Sequence, residues 1–397
     1  MKAFLILEDG TVFTGIHIGA DKEIISEIVF NTSMVGYLEV LTDPSYAGQA
    51  VCMTYPLIGN YGICKEDMES KRAWPDGFIV RELSRIPSNF RKDITIQEFL
   101  TQQDIPGIAG IDTRALTKIL REKGTMNGMI TTNEAYDLST ILPKLKAYTT
   151  GKVVEKVTCS QKYEIKGSRE LADNGPFSGS ARFVKEDFAS GKREKRPSIT
   201  RQLNGIGKRV ALLDLGAKGN IAVSLAQRGC DVNVYPAFTK AEEIITDHPD
   251  GIMLSNGPGD PKECTAIIEE IRKLYETDIP IFAICLGHQL MALATGADTF
   301  KMKYGHRGGN HPVKDLTDGR VYISSQNHGY VVDMDKLDPQ IAVPAFVNVN
   351  DGTNEGLSYI NKNIFTVQFH PEACPGPQDS SYLFDRFIKM MEVGKNA

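Results

Sequence analysis

Four short apolar runs alternate with helical stretches between Lys208 and Gly296, and this alternation limits the possible folds more than any other feature of the sequence. Strands separated by helices form parallel sheets, and apolar runs of this length are typical of strands buried on both faces. We therefore predict an α/β domain with a doubly wound parallel sheet, which binds ligands at the carboxyl ends of its strands. The strand-like runs are residues 210–214, 232–235, 252–255 and 279–285.

The part of the chain before this domain has a different pattern, in which short strands are mixed with a few helices. Residues 4–7 and 27–30 are strand-like. Residues 112–123 have helical spacing, and the side chain of Asp112 or Thr113 can cap that helix. This mixture predicts a separate domain that is not doubly wound.

These patterns divide the chain into three segments. Residues 1–165 are predicted to form the smaller mixed β/α domain, and residues 208–397 the α/β domain, which becomes β-rich and closes with a helix. Residues 166–207 are rich in Gly, Ser and Asn and include the charged run 192–196. This composition predicts a linker or mobile surface loop, and the charged run is better explained as solvated than as an anion site.

The composition argues against several classes of function. A net charge of −5 and a pI of about 5.9 indicate no overall basic character for binding nucleic acid. The seven cysteines include no CxxC pair, so we expect reduced thiols in the cytoplasm and neither a disulfide framework nor a zinc site. The opening segment is too short for a signal peptide, and no run approaches the roughly 20 apolar residues of a membrane helix. We predict a soluble cytoplasmic protein that binds neither nucleic acid nor membranes.

Cys285 ends the fourth strand-like run and is followed at once by a helical pattern that begins at Leu286. A nucleophile at a strand-to-helix turn is held clear of its neighbours, beside backbone N–H groups and a helix N-terminus. We expect this placement to favour the thiolate over the thiol. The pattern predicts a cysteine that attacks an acyl carbon, with the N–H of Leu286 as one donor to the developing oxyanion.

The segment His370-Pro371-Glu372 provides a base and a carboxylate. Proline holds the residue before it in an extended conformation, and residues two apart in an extended chain share a face. His370 could therefore act as the base for Cys285 while Glu372 orients the imidazole. Without the cysteine, a strand end with a solvated glutamate would be the better interpretation.

Two further segments could contribute to a site. Gly257 and Gly259 follow the third strand-like run, where their N–H groups could face an oxyanion, although an ordinary tight turn explains them equally well. His306, His311 and His328 could in principle hold a metal, but their spacing matches no common zinc pattern. We expect these histidines to make structural hydrogen bonds or to contact substrate, and we predict no metal in this chain.

In combination, the Cys285 elbow, the glycine loop and the His-Pro-Glu segment resemble the motifs of class I glutamine amidotransferases. The N-terminal part resembles the small subunit of carbamoyl-phosphate synthase, a first domain that other amidotransferases of this class lack. The resemblance covers nearly the whole chain except residues 167–207. It rests in the N-terminal part on Phe30-Asn31-Thr32-Ser33-Met34-Val35-Gly36-Tyr37, Leu41-Thr42-Asp43-Pro44-Ser45-Tyr46 and Gly110-Ile111-Asp112-Thr113-Arg114-Ala115-Leu116.

The resemblance implies a flavodoxin-like amidotransferase domain and a specific reaction. Cys285 would attack the side-chain amide of glutamine, and His370 would protonate the leaving ammonia. Water would then hydrolyse the γ-glutamyl thioester, with His370 as base and Glu372 as its orienting group. The resemblance implies that glutamine is held by Ser45, Gly257, Gly259, Leu286, Gln289, Asn327, Gly329 and Tyr330.

The resemblance also implies a partner. Ammonia would pass through a channel to a large subunit, which combines it with bicarbonate and ATP to make carbamoyl phosphate for arginine and pyrimidine synthesis. This chain would hold no cofactor, because ATP and a divalent metal are expected on the large subunit, and the sequence contains no P-loop.

Two other functions remain open from the sequence. A stand-alone cysteine γ-glutamyl hydrolase would use the same nucleophile, but it would have no need of the N-terminal domain. A catalytically silent structural or regulatory subunit would need no nucleophile, and the intact Cys285, His370 and Glu372 argue against it.

Overall fold

The computed structural model describes residues 1–167, 205–373 and 375–393, so most of the predicted 166–207 linker lies outside the described residues. The strands of the first part of the chain are β1 Lys2–Leu7, β2 Val12–Gly19, β3 Ile24–Asn31, β4 Gln49–Met53, β5 Leu57–Ile58, β6 Gly77–Ile79, β7 Glu82–Leu83, β8 Pro106–Ala109 and β9 Met126–Thr131. Seven of these strands close into a barrel, in the order β1-β2-β8-β6-β4-β3-β9. The other two, β5 and β7, pair only with each other.

Five helices accompany these strands among the described residues, and the predicted one at residues 112–123 is confirmed. The carboxylate of Asp112 accepts the N–H of Ala115 at its start, and Gly124 ends it at a φ of 102°. The predicted strands 4–7 and 27–30 lie within β1 and β3. The helices are α1 Tyr37–Thr42, α2 Ile96–Gln102, α3 Thr113–Lys123, α4 Leu138–Ala147 and α5 Val154–Val157.

The remaining ten strands form one sheet. They are β10 Tyr163–Ile165, β11 Arg209–Asp214, β12 Asp231–Pro236, β13 Gly251–Leu254, β14 Ile281–Ile284, β15 Asp298–Asp315, β16 Val321–Asp333, β17 Ala342–Asn348, β18 Asn354–Tyr359 and β19 Ile364–Val367. Their order in the sheet is β10-β12-β11-β13-β14-β19-β18-β17-β15-β16. The first strand, β10, precedes the predicted domain start at residue 208 and adds an antiparallel edge to β12.

The central strands β12, β11, β13, β14 and β19 are parallel, as predicted, and both faces of the sheet are covered. The helices of this part are α6 Gly219–Ala226, α7 Ala241–Thr246, α8 Thr265–Tyr275, α9 Leu286–Ala294 and α10 Tyr382–Val393. Side chains of α7, α8 and α9 pack on one face, and those of α6 and α10 pack on the other. The doubly wound architecture is therefore confirmed, and it directs the carboxyl ends of the central strands to one edge.

A helix that crosses a lipid bilayer needs about 20 predominantly apolar residues. Among the described residues, no helix combines the length and the apolar character that such a crossing requires.

Candidate active site

Cys285 occupies the sharp turn between β14 and α9. Its φ of 53° and ψ of −105° place a non-glycine residue in a rarely populated region, which is costly unless the surrounding structure enforces it. Its N–H donates to the carbonyl oxygen of Val367 at 2.8 Å. Because Ile284 and Val367 are paired in the parallel register of β14 and β19, the turn lies beside the chain that leads to His370.

His370 and Glu372 form a buried pair just beyond β19. Nδ1 of His370 lies 2.7 Å from Oε1 of Glu372. A carboxylate can only accept, so the hydrogen is assigned to Nδ1. The N–H of His370 donates to the carbonyl oxygen of Ser325 at 2.9 Å and fixes the backbone. Nε2 has no hydrogen-bond partner in the described parts of the chain, which leaves this nitrogen available for proton transfer.

Lys218 completes this arrangement, although it was not among the residues predicted from the sequence. Its Nζ lies 2.8 Å from Oε1 of Glu372, and the two side chains are 3% and 0% exposed. Burial alone raises the pKa of Glu372, but Lys218 and His370 outweigh it and lower the pKa to about 2. Lys218 follows β11 and precedes α6, so its position at the carboxyl edge of a predicted strand was the signal that could have identified it.

The thiol of Cys285 does not have the acidity that the sequence predicted. Burial raises its pKa, and the carboxylates of Asp43 and Glu372 raise it further. Lys218 and the N–H of Leu286 act in the opposite direction and do not compensate. The expectation of a resting thiolate is therefore wrong, because desolvation shifts a buried pKa by several units, whereas a helix N-terminus contributes about 1 kcal/mol. Sγ instead lies 3.7 Å from the carbonyl oxygen of Asn327, which the thiol hydrogen can reach.

A cleft of about 280 Å³ opens beside Cys285, close to the lower end of the size range for small-molecule sites. Both parts of the chain line it, since Glu27 and Ser45 belong to the first part and Cys285 to the second. Of the residues predicted to hold glutamine, Leu286 is absent from the lining because its side chain is buried in the core. The other predicted residues all line the cleft: Ser45, Gly257, Gly259, Gln289, Asn327, Gly329 and Tyr330.

Asp43 connects the two sides of this cleft. Its carboxylate accepts the N–H of Ser45 at 2.8 Å and the side-chain amide of Asn327 at 3.0 Å. The hydroxyl of Ser45 in turn accepts the amide of Asn256 at 2.9 Å. Asp43 lies within the segment Leu41–Tyr46 that carries the family resemblance, and Asn256 directly precedes the predicted Gly257, but neither was predicted as a site residue.

The local structure explains why glycine occupies both predicted positions in the loop after β13. A Cβ at Gly257 would lie 2.2 Å from the carbonyl oxygen of Leu215, so only glycine fits there. Gly259 has a φ of 93°, which a side chain would make unfavourable. Both glycines line the cleft as well as making this turn possible.

The additional histidines form a buried polar cluster. His306, His328 and Glu355 place potential ligand atoms within 4.8 Å of one another. Both ring nitrogens of His306 are engaged, however, with Gln326 at 3.1 Å and Asp351 at 2.9 Å. Burial alone lowers the pKa of His306, but Asp351 and Glu355 outweigh it and raise the pKa to about 9. Because both ring nitrogens of His306 already have hydrogen-bond partners, this geometry favours the predicted hydrogen-bonding role.

Two family models match the chain, one in the region of the barrel and the other in the region of the ten-stranded sheet. The model described as the CPSase domain of the carbamoyl-phosphate synthase small chain matches residues 5–130, which include most of the barrel. The model for class-I glutamine amidotransferases matches residues 211–390, which include the Cys285 turn and the His370 segment.

Curated relatives named carbamoyl phosphate synthase small chain match over nearly the full length of the chain. The Clostridium perfringens protein is 48% identical over 389 residues, which are 98% of this chain and 99% of that protein. The Listeria innocua protein is 46% identical over 392 residues, 99% of this chain and 97% of that protein. The Fusobacterium nucleatum protein is 46% identical and covers 98% of each chain. With this identity over the full length, the chain belongs to the carbamoyl phosphate synthase small chain family.

Proposed function

We propose that this chain is the glutaminase subunit of carbamoyl-phosphate synthase, which hydrolyses glutamine to glutamate and ammonia and passes the ammonia to a large subunit. The observation that carries this proposal is the position of Cys285. It sits on a strained strand-to-helix turn, opens on a cleft the size of a small metabolite, and lies beside the strand that leads to the His370–Glu372 pair.

The first half of the reaction makes a thioester. Sγ of Cys285 attacks the carboxamide carbon of glutamine as the thiol proton passes to His370, because the raised pKa of the thiol leaves little thiolate at rest. The N–H of Leu286 and those of the Gly257 loop stabilise the oxyanion. His370 then protonates the leaving nitrogen, the C–N bond breaks, and ammonia departs from a γ-glutamyl thioester.

The second half restores the cysteine. His370 takes a proton from water as the resulting hydroxide attacks the thioester carbon. The C–S bond then breaks to release glutamate, and the imidazolium of His370 returns its proton to the sulfur to restore the thiol. Glu372 stabilises the imidazolium that forms in each half. Lys218 supports this role because it helps hold the pKa of Glu372 at about 2, so that the carboxylate stays charged at neutral pH.

The synthesis of carbamoyl phosphate takes place on the large subunit. The large subunit combines ammonia with bicarbonate and ATP to give carbamoyl phosphate, and ATP and a divalent metal are assigned to that subunit. A channel between the subunits would keep ammonia from water, where it is protonated and lost as a nucleophile. The products serve arginine and pyrimidine synthesis, and the complex acts in the cytoplasm.

A titration with the large subunit tests the proposal. The glutamine cleft is built from both parts of this chain, and interfaces between such parts are mobile unless they are large and apolar. Docking a partner should therefore shift the cleft toward its competent arrangement and raise glutaminase turnover above that of the chain alone. A stable complex with unchanged turnover would contradict the proposal and favour an autonomous γ-glutamyl hydrolase.

A further inference from the structure

The side-chain amide of Gln289 has only one possible orientation. Gln289 lies one turn after the nucleophile, and its N–H donates to the carbonyl oxygen of Cys285 at 3.1 Å. Its Nε2 lies 2.8 Å from the backbone carbonyl oxygen of Tyr330. A backbone carbonyl can only accept, so the NH₂ group and not the oxygen must face Tyr330.

Gln368 uses the second hydrogen of that NH₂ group. Its Oε1 lies 2.9 Å from Nε2 of Gln289. Because Tyr330 fixes the NH₂ of Gln289, Gln368 must present its oxygen, since its own NH₂ would place two donors against each other. Gln368 is 0% exposed, and its Nε2 has no hydrogen-bond partner among the residues that the structure describes. Leaving a buried amide hydrogen unpaired is energetically unfavourable. Gln368 therefore keeps its hydrogen bond with Gln289 even though this orientation leaves its own Nε2 without a partner among the described residues.

We propose that Gln368 is a positioning residue that makes the cleft select amides carrying an α-ammonium group. With both hydrogens of its NH₂ engaged, Gln289 offers only Oε1 to a ligand in the cleft, which it lines. Within residues 1–167, 205–373 and 375–393, no group donates a hydrogen bond to that oxygen. An acceptor of this kind binds an ammonium group, and the α-ammonium of glutamine supplies one, so the inference rests on the proposed function.

The proposal predicts how loss of the Gln368 oxygen changes selectivity. Gln368→Met keeps the length of the side chain and removes the acceptor, so the Gln289 amide loses one of its two fixed points. We expect the KM for glutamine to rise about tenfold to hundredfold, the range of one charge-assisted hydrogen bond, with kcat within about threefold of wild type. The inhibition constant of 4-carbamoylbutanoate, a γ-amide without the α-ammonium group, should change by less than about twofold. Gln340→Met, at an exposed glutamine, is the matched control and should change neither constant.

A double-mutant cycle separates positioning from general disruption. If Gln368 acts through Gln289, the variant that combines Gln289→Met with Gln368→Met should lose no more glutamine affinity than Gln289→Met alone. Gln368→Glu retains an acceptor oxygen at the same reach and should restore most of the selectivity. If Gln368→Met does not fold, Gln368→Asn provides the comparison, because its shorter side chain keeps an amide that cannot reach Gln289.

Two results would overturn the inference: equal weakening of glutamine and the deaminated analogue, or fully additive losses in the cycle. Both would mean that Gln368 only supports the fold. Failure of the proposed function would be distinct, because wild-type protein would then not hydrolyse glutamine even with the large subunit present.

Discussion

Nζ of Lys218 lies 2.8 Å from Oε1 of Glu372, and this buried ion pair holds the carboxylate that contacts Nδ1 of His370. Lys218 also interacts electrostatically with Asp43 and Glu69, which belong to the first part of the chain. Burial raises the pKa of Glu69 to about 8, and the surrounding carboxylates contribute to this despite Lys218. The Lys218 ammonium group therefore interacts with acidic side chains from both parts of the molecule.

Replacing Lys218 by methionine should damage both stability and activity. Removal of one partner from a buried ion pair costs about 3–5 kcal/mol, because the remaining charge stays desolvated. The pKa of Glu372 should rise, and glutaminase kcat should fall at least about tenfold. Lys240→Met is the matched control, since Lys240 is 71% exposed where it pairs with Glu270 and such pairs contribute about 0–1 kcal/mol. Urea unfolding and steady-state glutaminase assays measure both effects, and a Lys218 variant no worse than the control would refute this role.

Glu372→Gln should slow glutamine hydrolysis less than His370→Asn does. His370 handles the proton in both half-reactions, whereas Glu372 acts on it through the 2.7 Å contact with Nδ1. We expect His370→Asn to lower kcat by about 10⁴-fold or more and Glu372→Gln by at least about tenfold less. The comparison requires saturating glutamine at several pH values. An equal or larger loss in the Glu372 variant would assign that carboxylate a more direct part in proton transfer.

His306 should make the stability of the protein depend on pH. Its folded-state pKa of about 9 lies above the unfolded value of 6.5, so its stabilising contribution is complete below pH 6.5 and disappears as the pH rises through 9. His306→Gln should therefore be less stable than wild type by up to about 3 kcal/mol at pH 6, and this difference should shrink by pH 9.5. Urea unfolding across this range measures it. His17→Gln serves as the control, because the His17 ring contacts a neutral backbone carbonyl oxygen whereas the His306 ring contacts carboxylates. A pH-independent difference in stability for His306→Gln would show that the ion pairs of His306 do not stabilise the fold.

Local patterns in the sequence were sufficient to predict the central sheet and the strand-to-helix turn at Cys285. The strands and the Cys285 turn depend on neighbouring residues, and so does the shared face of His370 and Glu372 across Pro371. The end of a predicted strand was a signal for Lys218, but the sequence did not show which residues meet only through the fold. Lys218 and Asp43 lie far from Cys285 along the chain, and the carboxylates gathered at Cys285, together with burial, reverse the expected acidity of its thiol. The edge strand at Tyr163–Ile165 was also missed, because three residues are too few to show a strand pattern.

The most direct test of the account is the nitrogen source used by a complex that contains Cys285→Ser. The complex with the large subunit should make carbamoyl phosphate from added ammonium at the wild-type rate, because synthesis does not involve this site. Synthesis from glutamine should fall to background, together with a loss of about 10⁴-fold or more in glutaminase activity. Substantial synthesis from glutamine in the variant complex would contradict the assignment of Cys285 as the nucleophile on which the whole account rests.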